Sequence, residues 1–217
     1  MSEHFTELFY FFDLVAFLGA IFMHLVKKNS NLIRLYAIQS LAVAALLFVI
    51  GLTEGKQSLL WIGALTLVIK VIVAPLFFSR LMHRFGAQFT ASNYLSVPLT
   101  LVVLTGLVMF TYSHVFLSLA TLLPQSSETF LFAVAIIFIS IFLMINRRGV
   151  FAQMVGILSL ENGIVLFAAL IGIDQPLALE IGIIFDIVIW MVIGGAFISM
   201  IHRQFGSFST ANIKTLT

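Results

Sequence analysis

Residues 128–172 read ETFLFAVAIIFISIFLMINRRGVFAQMVGILSLENGIVLFAALIG. Two uninterrupted apolar runs, about 128–146 and 150–172, are separated by the three residues Arg147, Arg148 and Gly149. A helix crossing a bilayer needs about 20 mainly apolar residues, and each run supplies that length. The connector is too short for anything but a tight turn, so the pair forms a helical hairpin with its basic turn at one membrane surface. The second run also contains a carboxylate, Glu161, where a lipid-facing helix has none.

Working outward, the same reading finds runs at about 8–26, 32–52, 58–80, 96–120 and 176–201, separated by polar connectors such as KKNSN, TEGKQS and PQSSE. Of the 217 residues 61% are hydrophobic and 9% charged, against about 25% charged in a soluble domain. The expected fold is therefore all-α, a polytopic membrane protein of seven transmembrane helices lodged in the lipid bilayer. The first run has Glu3 and Glu7 ahead of it rather than the basic front end of a signal peptide, and is read as a permanent helix. No cysteine is present, which excludes disulfides, thiolate metal sites and a cysteine nucleophile.

Orientation follows from the basic residues. Lys27, Lys28, Arg34, Arg80, Arg84, Arg147, Arg148, Arg203 and Lys214 fall on one side, nine of the eleven Lys and Arg. Lys56 falls on the other side, with Glu3, Glu7, Glu54, Glu128, Asp174 and Glu180. The basic side is expected to be cytoplasmic, with the N-terminus outside and the C-terminus inside. The net charge of +2 then reflects topology and implies no nucleic-acid partner.

Displaced by about 120 residues, the chain matches itself. Lys27-Lys28 falls on Arg147-Arg148, Ser40-Leu41 on Ser159-Leu160, His83-Arg84 on His202-Arg203, and Phe85-Gly86 on Phe205-Gly206. These matches include loop residues, which apolar composition alone does not explain. The expected organisation is a 3+1+3 parallel internal repeat: a first three-helix copy at 1–90, a linking fourth helix at 91–125 and a second copy at 126–217.

Four ionisable groups remain inside helices: Asp13, Lys70, Glu161 and Asp186. Each costs at least about 2.5–3.5 kcal/mol at the centre of a lone helix and normally serves a function or a partner. At 1.5 Å per residue, Lys70 and Glu161 each lie about 15 Å from the basic surface, at the same level. Asp186 lies nearer the outer side and Asp13 about a turn inside the outer boundary. Structural readings stand beside functional ones. Asp13 snorkels to the interface, and Lys70 and Glu161 form an ion pair that fixes packing. Alternatively the carboxylates carry protons, with Gln39, Asn162 and His114, and also His24, His83 and His202, extending the path. Single histidines near helix ends are more often interfacial anchors. The repeat sets Ala42 against Glu161, Leu67 near Asp186, and Ile189 or Trp190 against Lys70, so the acids belong to one copy and the buried base to the other.

GILSLENGIVLFAALIG around Glu161, followed by IGIIFDIVIWMVIGG around Asp186, resembles the K subunit of complex I (NADH–quinone oxidoreductase). Glu161 falls on that subunit's first helix glutamate, and Asp186 on the second as a shorter replacement. Nearly the full length resembles hydrogenase-4 component E, through YAIQSL (36–41), LVIKVIVAPL (67–76), SLENG (159–163), EIGIIFDIVI (180–189) and ANIKTL (211–216). The resemblance implies a non-redox subunit in the inner-membrane arm of a complex I-related, proton-translocating hydrogenase or formate hydrogenlyase. Such a subunit sits alongside antiporter-like subunits, holds no cofactor or metal and has no catalytic site of its own. Glu161, Asp186 and Lys70 would then form the proton pathway. A stand-alone secondary transporter built on a parallel three-helix repeat is the alternative. It lacks the proline of sugar carriers in helices 1 and 5. A retinal protein needs its lysine in the last helix, and no nucleophile–base motif suggests a membrane enzyme.

Overall fold

The computed structural model describes residues 3–84, 92–121 and 127–171, with scattered helical positions between 182 and 200. Nearly all of this is helix. Helix α1 runs Glu3–Leu25 and α2 runs Asn29–Glu54, where Gly55 ends it in the left-handed conformation (φ 67°) that glycine adopts without strain. The third span is composite: α3, Gln57–Thr66, passes through a π-helical stretch, Leu67–Val73, into α4, Ala74–Arg84. Then come α5, Val97–Thr111; α6, His114–Ala120; α7, Ser127–Asn146; and α8, Val150–Ile171.

Among the described residues five helices are long and apolar enough to cross a membrane, or six if the bent pair α5–α6 is counted as one span. They match the first six expected runs. The seventh, 176–201, falls mostly outside the described residues. The fourth run is not a single straight helix, because α5 and α6 meet at a 50° bend. Its cause is local. The Thr111 hydroxyl turns back onto the Val108 carbonyl at 2.7 Å, and Ser113 takes an extended backbone (φ −68°, ψ 159°) that starts a new helix.

Side chains on the outside are as apolar as those inside. Leu52, Val102, Met109 and Ile145 are all exposed, as expected where the surrounding medium is hydrocarbon rather than water. The interior is built from α1, α2, α7 and α8, with α2 touching α1, the third span and α8. Ala16, Ala20, Met23, Tyr36, Leu46, Ile136, Ile139 and Leu158 fill it. The hairpin pairs α1–α2 and α7–α8 pack antiparallel, while α1 and α7 run side by side in the same direction. Phe17 meets Phe132 (ring centroids 4.9 Å apart), and further along His24 stacks on Phe142 at 5.0 Å.

Close approach of α7 and α8 depends on Gly163. A Cβ there would lie 2.9 Å from Ile137 Cγ1 and 3.1 Å from the Ile137 backbone nitrogen. Gly163→Val is expected to cost about 1–3 kcal/mol through overpacking. Gly106→Val, where nothing lies within 4 Å, should be close to neutral. Thermal unfolding of the two variants in detergent measures the contrast, and equal midpoints would refute it.

The basic end is tied together by polar contacts. Two-residue strands β1, Ser92–Asn93, and β2, Arg147–Arg148, pair antiparallel. Asn146 accepts from the Leu95 N–H at 3.0 Å and donates to Thr100 Oγ1 at 3.2 Å. The buried Arg147 guanidinium donates to the Met23 and Val26 carbonyls at the end of α1. Together these contacts anchor the segment entering α5 to the ends of α1 and α7.

Candidate functional site

Pro75 shapes the first part of the site. It has no N–H to give to the Val71 carbonyl, and its ring crowds that carbonyl. The preceding turns widen, so that the Ala74 N–H reaches back five residues to Ile69. Lys70 lies in the middle of this π-helical stretch, the kind of irregularity that often marks functional sites. Its side chain is only 3% exposed.

Lys70 Nζ points at α8. It lies 3.5 Å from Glu161 Oε2 and donates a 3.1 Å hydrogen bond to Asn162 Oδ1. The Asn162 amide then uses its donor end on α2, giving 2.8 Å to Ser40 Oγ and 3.4 Å to Gln39 Oε1. An amide suits this place because it carries both an acceptor for the ammonium and donors for the hydroxyl and carbonyl. Three helices therefore converge on one buried polar cluster, in which Gln39, Ser40 and Asn162 are fully buried. A turn away, Ser140 of α7 and Ser159 of α8 share a 2.7 Å hydrogen bond.

A buried pair of this kind is costly to assemble. Desolvating two charges costs several kcal/mol each, and close geometry with added hydrogen bonds is needed to offset it. At 3.5 Å the direct attraction is on the order of 5 kcal/mol for an effective dielectric of about 20. The Lys70–Asn162 bond adds to it. The cluster holds a carboxylate and an ammonium within 3.5 Å of each other, with the Asn162 amide joining the ammonium to the Ser40 hydroxyl.

The other candidates lie elsewhere. Asp13 is fully buried, which overturns the expectation that it snorkels to the outer interface. The reason is the face it occupies: it points at α7 beside the buried Thr129. Neither carboxylate oxygen has a hydrogen-bond partner among the described residues. His114 is exposed at the start of α6, against Ser118, and does not approach the cluster. His24 is buried between α1 and α7, with Nε2 3.0 Å from the Ile139 carbonyl. His83 is exposed near the end of α4, while Asp186 and His202 lie outside the described residues.

Two participants escaped the reading of functional residues. Ser40 was visible only as half of the repeated Ser-Leu pair, whose other half, Ser159, also proves to be a buried interhelical contact. Tyr36, fully buried one turn from Ser40, carried no signal beyond being a tyrosine within an apolar run.

No protein-family model matches the chain, and no solved structure does. Among curated proteins the chain is similar to the uncharacterized protein Rv0085 of Mycobacterium tuberculosis. The two are 26% identical over 188 residues, which covers 85% of this chain and 84% of that protein.

Proposed function

We propose that the chain is a non-redox subunit in the membrane arm of a complex I-related, proton-translocating assembly of the membrane-bound hydrogenase or formate hydrogenlyase type. In this reading it has seven transmembrane helices in two parallel copies, in the cytoplasmic membrane, with the N-terminus outside and the C-terminus in the cytoplasm. Its role is to carry protons through buried side chains beside antiporter-like subunits.

The observation that carries the proposal is the Lys70–Asn162–Glu161 cluster. A packing pair needs only charge and contact. This one sits in a π-helical stretch, is linked through Asn162 to Ser40 and Gln39, and lies within the family-like segments around both residues. When Glu161 takes up a proton, Lys70 loses the charge that compensates it in a low-dielectric interior. The pair therefore favours handing a proton onward over storing one. Support for the parallel repeat comes from α1 lying beside α7 and α2 beside α8. Ser40 and Asn162, which touch, occupy nearly matching places in the two copies.

In the parent assembly, Glu161→Gln is expected to lower proton-coupled activity about a hundredfold or more, the range in which a positioned proton-transfer group contributes. Glu161→Asp, which keeps the titrating group, should lose less. Proton translocation by inverted vesicles, normalised to the amount of assembled complex, measures this. Unchanged translocation in the Gln variant would remove Glu161 from the pathway. Affinity purification identifies the assembly: hydrogenase and antiporter-like chains should accompany the protein, whereas recovery alone would favour a stand-alone transporter.

A further inference from the structure

One face of α2 carries more buried polar groups than the Lys70–Glu161 cluster uses. Asn29, Tyr36 and Ser40 recur at i, i+7 and i+11, which places them above one another on a helix of 3.6 residues per turn. All three are buried, as is Gln39 beside them. Asn29 Oδ1, the Tyr36 hydroxyl and Gln39 Nε2 have no hydrogen-bond partner among the described residues. Buried polar atoms are otherwise almost always paired, so each such atom calls for an explanation. Here three of them mark out a line from the basic end of α2 to the middle of the helix. Asn29 is the first residue of α2, directly after Lys27 and Lys28. Tyr36 stands about 10 Å further in and Ser40 about 6 Å beyond it.

We propose that the Asn29–Tyr36–Ser40 face of α2 is the route by which protons from the basic side reach the Lys70–Glu161 pair. The inference rests on the reading that this pair exchanges protons, and adds the side and the helix by which it is loaded. Water bridging unsatisfied polar groups is the ordinary way such a line is completed. The amides of Asn29 and Gln39 hold that water and carry no proton themselves. The hydroxyls of Tyr36 and Ser40 do carry it: each accepts a proton on a lone pair and releases its own on the far side, so neither changes charge over a full transfer. Ser40 Oγ accepts the Asn162 N–H, which leaves its O–H free to donate. The polar groups acting on the Tyr36 phenol are the Ser40 hydroxyl and the Glu161 carboxylate. From the Ser40 O–H the proton crosses one more bridging water to the Glu161 carboxylate, which becomes the neutral acid.

Tyr36→Phe is the discriminating variant, because it keeps the ring that fills the core and removes only the hydroxyl. The full-length chain, purified with any subunits that accompany it and placed in lipid nanodiscs, is moved rapidly into heavy water. Both solutions are acidic enough to hold Glu161 in its protonated form, and the infrared C=O stretch of that carboxyl, assigned by its loss in Glu161→Gln, is then followed. The exchange rate is expected to fall about tenfold or more in Tyr36→Phe with the band's amplitude unchanged, and to fall also in Asn29→Leu, which serves alone if Tyr36→Phe does not fold. A Glu161 band that exchanges at the wild-type rate in the variants overturns the route and leaves the pair's proton exchange standing. Absence of any exchanging Glu161 band in the wild type overturns both.

Discussion

Lys70→Met, made alone, is expected to lower the protein's unfolding free energy by about 3–5 kcal/mol, the usual cost of removing one partner from a buried ion pair. Methionine has nearly the length and shape of the lysine stem, so packing changes little. What is lost is the ammonium 3.5 Å from Glu161 Oε2 and the donor to Asn162 Oδ1. Glu161→Gln in the Lys70→Met background removes the stranded charge and should recover part of the loss. The double variant is then more stable than the two single changes added together, with a coupling energy of about 1 kcal/mol or more. Denaturant unfolding of all four proteins in detergent closes the cycle. Additivity within about 0.5 kcal/mol would show that the two charges do not feel each other. The cycle also separates stability from transport. If Lys70→Met destabilises the fold while proton translocation per assembled complex stays at the wild-type level, the lysine is a packing cation and the path does not need it.

How much of this could be read from the sequence depended on whether the controlling forces act along the chain or across it. Span positions were legible because a bilayer demands long apolar runs, and the described helices α1, α2, α7 and α8 lie within a few residues of the expected ranges. The common level of Lys70 and Glu161 followed from counting residues at a fixed rise. Lateral contact did not, because it depends on how each helix is rotated and on which neighbour it meets. Nothing local says that Asn162 faces both Lys70 and Ser40. The π-helical stretch had a visible cause in Pro75, but a proline predicts a disturbance without predicting its form. Asp13 shows the converse error. Its depth was counted from an apolar run starting near residue 8, close to Glu7 where the apolar span begins, and depth alone says nothing of which neighbour a side chain faces. Asp13 was thereby given an interfacial role that its burial against α7 excludes.

Arg147→Ala is expected to cost about 3–5 kcal/mol, through the loss of two charge-assisted hydrogen bonds to carbonyls, although Arg147 lies outside the apolar runs. The last carbonyls of a helix have no partners within it and carry the negative end of its dipole, so a cation there is doubly favoured. The Arg147 guanidinium serves the Met23 and Val26 carbonyls together, the latter at 2.8 Å. Charge-assisted bonds of this kind contribute about 1.5–3 kcal/mol each. Burial pushes the guanidinium down to about 10, still well above neutral pH, so it remains charged in the folded protein. Because that value is below arginine's ordinary one, the folded and unfolded chains differ in bound protons only as the pH approaches 10 and beyond. The wild-type-to-alanine difference should therefore be flat between about pH 6 and 8. Arg147→Lys should fall between the two, since an ammonium keeps the charge but lacks the planar fork. Arg148→Ala is the control, because Arg148 is exposed and its contact is with the face of Tyr94, 4.5 Å from the ring centroid, worth about 0.5–1 kcal/mol. Thermal unfolding of the three variants tests the ranking, and equal losses in Arg147→Ala and Arg148→Ala would sink it. The contrast bears on the repeat as well. Lys27 and Lys28, which the sequence match sets against Arg147 and Arg148, are both exposed, so the two basic turns do different work. In the second turn the first of the pair turns inward and holds the end of α1, while in the first turn both remain at the surface.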